Sequence, residues 1–153
     1  MIITFFGHAN YSEKDEHRQL ILDYLETVSC NSNVEFYLGG YGKFDSFALS
    51  CAKEFQTVHT EAKIYFITPY ISPSYEKTHL KNNAAIYDGI IYPPIESTHP
   101  KYAISHRNKW MIEQADVVIA FVKRQNGGAF SAFRRAKGLK KNYFNVATGE
   151  TNY

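Results

Sequence analysis

Four short stretches hold the residues that could do chemistry. Gly39-Gly40-Tyr41-Gly42 places three glycines in four positions, just ahead of a helical segment. Glycine leaves backbone N–H groups unshielded, and a following helix adds the positive end of its dipole, so the pair makes an anion site suited to phosphate. Its spacing is neither that of a P-loop nor that of the dinucleotide G-x-G-x-x-G. Phe44 and Asp45 follow directly. Asp45 can cap the helix, or it can bind a ribose hydroxyl or an amine. Gly127-Gly128 repeats the theme where the fifth strand gives way to a helix. Gly7-His8 ends the first apolar run. Gly7 permits a sharp turn or a close approach, and His8 either donates to a phosphate or base or is simply a turn histidine. Arg107, with Asn108 and Met111, lies early in a helix, where the dipole disfavours a cation. A bidentate phosphate partner would explain it, as would a surface ion pair with Glu113 or Asp116. Tyr41, Phe44 and Tyr70 offer aromatic faces, and stacking on such a face contributes about 1–3 kcal/mol per base in single-strand binders.

Other chemistries fit poorly. The six histidines have no metal-ligand spacing, and Cys30 and Cys51 are too few for a disulfide framework and read as buried thiols. No G-x-S-x-G elbow is present. No catalytic residue, metal or cofactor is therefore assigned. Arg134, Arg135, Lys137, Lys140 and Lys141 form a basic cluster that reads as a solvated helix end or as a steering patch.

These residues need elements to position them. Ile2–Phe6, Val34–Leu38, Lys63–Thr68, Gly89–Tyr92, Asp116–Val122 and Tyr143–Val146 read as strands. Helices are expected from Ser12 (with Asp15 in a capping-box position), from about Phe44, over about Tyr102–Ala115, and over Gly127–Gly138. Phe44, Phe47, Ala48, Cys51, Ala52 and Phe55 make the clearest amphipathic stripe. Ile104, Met111, Ile112 and Ala115 are expected to form the apolar face of the third helix. Residues 70–100 hold four of the five prolines and read as a long loop with functional potential. The alternation predicts an α/β, Rossmann-like domain, mainly parallel, with helices on both faces of the sheet. Such sheets bind ligands at the carboxyl ends of their strands.

Composition bounds the rest. At 153 residues the chain fits one domain, 1–153. A formal net charge of +2 argues against nucleic acid as a partner. No long apolar run or basic leader is present, so no membrane partner is expected and the chain is placed in the cytoplasm. Aromatic content is high at 16%, with Tyr41, Tyr70, Tyr75, Tyr87, Tyr92 and Tyr102 near the proposed strand ends.

Taken in order, the motifs Thr4-Phe5-Phe6-Gly7-His8, Gly39-Gly40-x-Gly42-x-Phe44-Asp45, Ala103-Ile104-Ser105-x-Arg107-Asn108-x-Trp110-Met111-Ile112, Ala115-Asp116-x-Val118-Ile119-Ala120-x-Val122 and Gly127-Gly128-Ala129 resemble the SLOG superfamily nearly end to end. More narrowly they resemble its small stand-alone bacterial and phage members. The resemblance implies a Rossmann-like fold, a nucleotide-derived ligand such as a nucleotide or an ADP-ribose-like signal, homo-oligomers, and links to anti-phage signalling of the Thoeris type. It also relates the chain to DNA-processing protein A and to the Lonely-guy phosphoribohydrolases. Arg107 with Met111 resembles the R-x-x-x-M element of those hydrolases, and Gly127-Gly128 resembles the start of their phosphate loop. That loop continues with an acidic pair, where this chain has Phe133 and Arg134. Cleaving an N-glycosidic bond calls for a carboxylate. The resemblance therefore implies first a ligand-binding, sensing or sequestering protein, with a nucleoside-monophosphate N-glycohydrolase and a DNA-processing accessory protein as the alternatives.

Overall fold

A computed structural model describes residues 1–70 and 85–153. Tyr75 and the middle of the proline-rich stretch lie outside the described residues.

Strand β5 (Val117–Phe121) is apolar at every position and buried at every position. That is the signature of a central strand covered on both faces. It pairs in parallel with β1 (Ile2–Gly7), which pairs in parallel with β2 (Glu35–Leu38). β3 (Lys63–Ile67) and β4 (Gly89–Ile91) extend that side, and β6 (Asn142–Asn145) extends the other. The strand order is β4-β3-β2-β1-β5-β6, with every ladder parallel. The chain builds outward from β1 in one direction and then returns to its other side. The order thus reverses between β1 and β5, the topological switch point where such sheets open a crevice.

Four helices are seen among the described residues: α1 (Asp15–Ser29), α2 (Lys43–Val58), α3 (Ala103–Gln114) and α4 (Gly127–Gly138). Side-chain alternation along β1 divides the core. Ile3 and Phe5 pack with α1 and α2, against Ile21, Leu25, Phe47 and Phe55. Ile2 and Phe6 pack with α3 and α4, against Met111, Ile112, Ala132 and Ala136. The aromatic stripe of α2 lies wholly inside the first layer.

Polar side chains fasten the strand ends. Asp116 Oδ2 accepts the Ile2 N–H at 2.8 Å, and Asp88 Oδ2 accepts the Ile64 N–H at 2.8 Å. The Asn145 amide accepts from Val122 N–H and donates to Val122 O, both at 3.0 Å, which extends the β5–β6 ladder by one pair. No helix among the described residues is long and apolar enough to cross a membrane.

Three local expectations need correction. Helix α1 starts at Asp15, with Lys14 at the N-cap and no side-chain cap, so Ser12 and Asp15 do not form a capping box. Cys30 is exposed at the left-handed end of α1, and only Cys51 is buried. In α3 the inward positions are Ala103, Arg107, Met111 and Ile112, while Ile104 is exposed. An arginine occupies the place expected of an isoleucine, and the reason lies in the crevice.

Candidate ligand crevice at the switch point

The carboxyl ends of β1, β2 and β5 and the first turns of α2, α3 and α4 enclose a crevice of about 280 Å³. It brings together ten residues singled out from the sequence: Gly7, His8, Gly39, Tyr41, Asp45, Arg107, Asn108, Met111, Gly127 and Gly128. Gly40, Gly42, Phe44 and Tyr70 do not line it. The sequence reading missed Ala9, Ile104, Arg124 and Ala129. Arg124 carried a usable signal, because it follows β5 at its carboxyl end as His8 follows β1.

Arg107 is buried, with 3% of its surface exposed. Its Nη1 donates to Gly39 O at 2.9 Å and Ile67 O at 3.1 Å, and its Nε donates to Asn108 Oδ1 at 3.0 Å. The guanidinium thus satisfies carbonyls at the ends of β2 and β3 that no strand partner reaches. The ion pair foreseen with Glu113 or Asp116 is not formed. Glu113 binds Arg135 at 3.0 Å, and Asp116 holds the start of β1. A Cβ on Gly39 would stand 2.9 Å from Arg107 Nη2, so the glycine clears a place for the cation.

Two further glycines of the loop also answer to packing. Gly40 (φ +67°) and Gly42 (φ +88°) adopt the left-handed region, and added Cβ atoms would meet Phe66 at 2.6 Å and Ala9 at 2.8 Å. Phe44 is a core residue whose ring fills the space a Cβ of Gly7 would take, at 2.2 Å. Asp45 Oδ2 accepts the Tyr41 N–H at 2.8 Å, so the loop before α2 already has its own anion. Burial pushes the Asp45 carboxyl up to about 6, against the lowering pull of the Tyr41 N–H and of Arg107. The N-cap of α2 is Gly42, without a side-chain cap, and Asp45 in the first turn instead holds the preceding loop through the Tyr41 N–H.

His8 is buried and also structural. Its Nε2 accepts from Lys123 N–H at 3.0 Å and Arg124 N–H at 3.4 Å, tying the end of β1 to the end of β5. Burial, followed by Arg124 and Lys123, lowers its pKa and keeps the ring neutral. With Nε2 accepting, the proton belongs on Nδ1.

The start of α4 differs. Asn126 supplies no side-chain cap, and the first turn holds no acid. Gly127 has φ +88°, but Gly128 does not adopt the left-handed region, and nothing lies within 4 Å of where its Cβ would stand. Gly128 is therefore a glycine that neither backbone conformation nor packing explains. It lines the crevice beside exposed Arg124. Phe133, at the place of the hydrolases' acidic residue, is buried edge-on against Tyr143 at 5.3 Å, and Arg134 is exposed.

The chain resembles several solved structures. DNA processing protein A from Helicobacter pylori, described for its single-stranded DNA binding mode, matches at 18% identity with a TM-score of 0.58, over 95% of this chain and 64% of that one. DNA processing protein A from Streptococcus pneumoniae matches at 13% identity with a TM-score of 0.62, over 94% of this chain and 49% of that one. The protein TM1055 matches at 14% identity with a TM-score of 0.52, over 94% and 72%. This chain thus spans less than two thirds of either DNA processing protein A. No family model and no curated protein matches the sequence. The fold is the parallel α/β, Rossmann-like fold that the motifs implied, and these solved structures share it. One expectation is overturned. The same fold binds single-stranded DNA in the H. pylori protein, so a net charge of +2 does not exclude nucleic acid as a partner.

Proposed function

We propose that this SLOG-fold chain binds a phosphate-bearing, nucleotide-derived ligand in the switch-point crevice, as a sensor or a sequestering protein. The observation that carries this reading is Gly128. Space is left open at an uncapped helix N-terminus, in the crevice that Arg124 and the buried Arg107 also line. A phosphate seated there would accept first-turn N–H groups of α4 and meet the positive end of its dipole. Arg107, held by two carbonyls, keeps a fixed positive charge near that position, and Met111 and Ile104 give an apolar surface for a sugar or base. Asn108 and exposed Tyr41 stand at the rim to contact or stack on the base.

Gly128→Asp tests this directly. An acid in the first turn of a helix is stabilising by about 0.3–1 kcal/mol, and the side chain has room, so the variant folds. It fills the phosphate position with like charge. Calorimetry with the four ribonucleoside 5′-monophosphates is expected to show binding to the parent chain and none to Gly128→Asp, with nucleosides silent for both. Equal heats for parent and variant overturn the reading.

Asp45 favours a second reading, cleavage of the ligand's glycosidic bond. It is a carboxylate in the crevice whose proton is held to about pH 6, which suits acid–base work. Chromatography of nucleotides incubated with the chain decides between the two. Intact nucleotide supports binding alone, and free base that disappears with Asp45→Asn supports cleavage.

A further inference from the structure

The crevice does not end at α4. A groove of about 600 Å³ runs between α3 and α4 and shares Ile104, Asn108 and Gly128 with it. Its polar lining is cationic and neutral: Lys101 from the turn before α3, Lys109 from α3 and Arg135 from α4, with the hydroxyls of Ser105 and Ser131. Among the described residues no carboxylate lines it. Its floor is apolar, formed by Ile104, Ile112 and Ala132. Arg135 gives one Nη2 to Glu113 at 3.0 Å, and its Nε is buried with no hydrogen-bond partner among the described residues. A buried donor left without an acceptor is destabilising.

We propose that this groove is a second anion subsite, and that the ligand carries a second phosphate one nucleoside away from the first. This rests on the crevice reading above and narrows it. A cationic rim over an apolar floor matches a nucleotide unit, with its phosphate on Lys101, Lys109 and Arg135 and its sugar and base on Ile104 and Ala132. The first phosphate would sit at Gly128 in the crevice and the second in the groove, which shares Gly128 and Asn108 with it. A free dinucleotide and the end of a single strand share this chemistry.

The test is titration calorimetry on the full chain with ribonucleoside 5′-monophosphates, the matching 5′-phosphorylated homodinucleotides, and longer single strands of the same bases. The dinucleotide is expected to bind at least about tenfold tighter than the mononucleotide. Its salt slope should steepen by about 0.7 for each added phosphate contact. Lys101 and Lys109 are exposed, so the double variant Lys101→Gln/Lys109→Gln folds. It should erase the dinucleotide gain and leave mononucleotide affinity within about threefold of the parent. A dinucleotide that binds no tighter than its mononucleotide, or a gain that survives the double variant, overturns the proposal while the crevice reading stands. Absence of any binding overturns both. Further tightening with strand length identifies a strand as the source, and a plateau at the dinucleotide identifies a free small ligand.

Discussion

Arg107 was legible in the sequence as an oddity, a cation in the wrong part of a helix. Its two readings, phosphate partner and surface ion pair, both failed to foresee the carbonyls of Gly39 and Ile67 as its holders. Backbone carbonyls at strand ends carry no mark in a sequence, because they belong to every residue alike. Gly7 shows the same limit. Its glycine reads as a sharp turn or a close ligand approach, and neither foresees the packing demand of the Phe44 ring, 2.2 Å from a would-be Cβ. Gly7→Ala must therefore push a buried ring. Overpacking of this kind is expected to cost about 1–3 kcal/mol in urea unfolding. An unchanged midpoint would show that Phe44 can move aside freely.

At the scale of elements, the strands and helices were largely legible because their apolar periods are strong, as in β5 and the stripe of α2. The anion site was harder. Two glycine-rich strand-to-helix junctions look alike as sequence, yet α2 begins with its own carboxylate and α4 begins with none. The difference should appear as pH dependence. Asp45 ionises near 6, so at neutral pH the crevice holds a negative charge that opposes an anion. A phosphodiester such as ApA keeps one charge across this range. Its affinity is expected to rise as pH falls through 6, and Asp45→Asn should flatten the profile at the tighter level. The stability sign agrees. The folded carboxyl holds its proton more tightly than an unfolded one at 3.8, so ionisation costs stability above 6, and that stability returns as pH falls from 6 towards 3.8. A parent profile as flat as that of Asp45→Asn would remove Asp45 from the crevice's electrostatics.

For the whole molecule, the doubly wound class followed from the alternation of elements. The place of the crevice followed only once the strand order was known, because no local pattern states that β1 lies between β2 and β5. That placement also has a consequence in time. Ile2 and Asp116 are bonded across 114 positions of chain, so β1 lacks its second neighbour until β5 has also been made. Until then β1 has a bare edge, and contacts this distant are slow to form. A chain ending at Gln114 is expected to unfold without cooperativity by circular dichroism and to bind no nucleotide; a sigmoidal transition would show that the first four strands suffice. Half of the binding place thus comes before β3 and β4 in the chain and half comes after them. Any ligand that recognises both halves recognises only the sheet in which β1 and β5 are already paired, so its capture also reports that this pairing has been made.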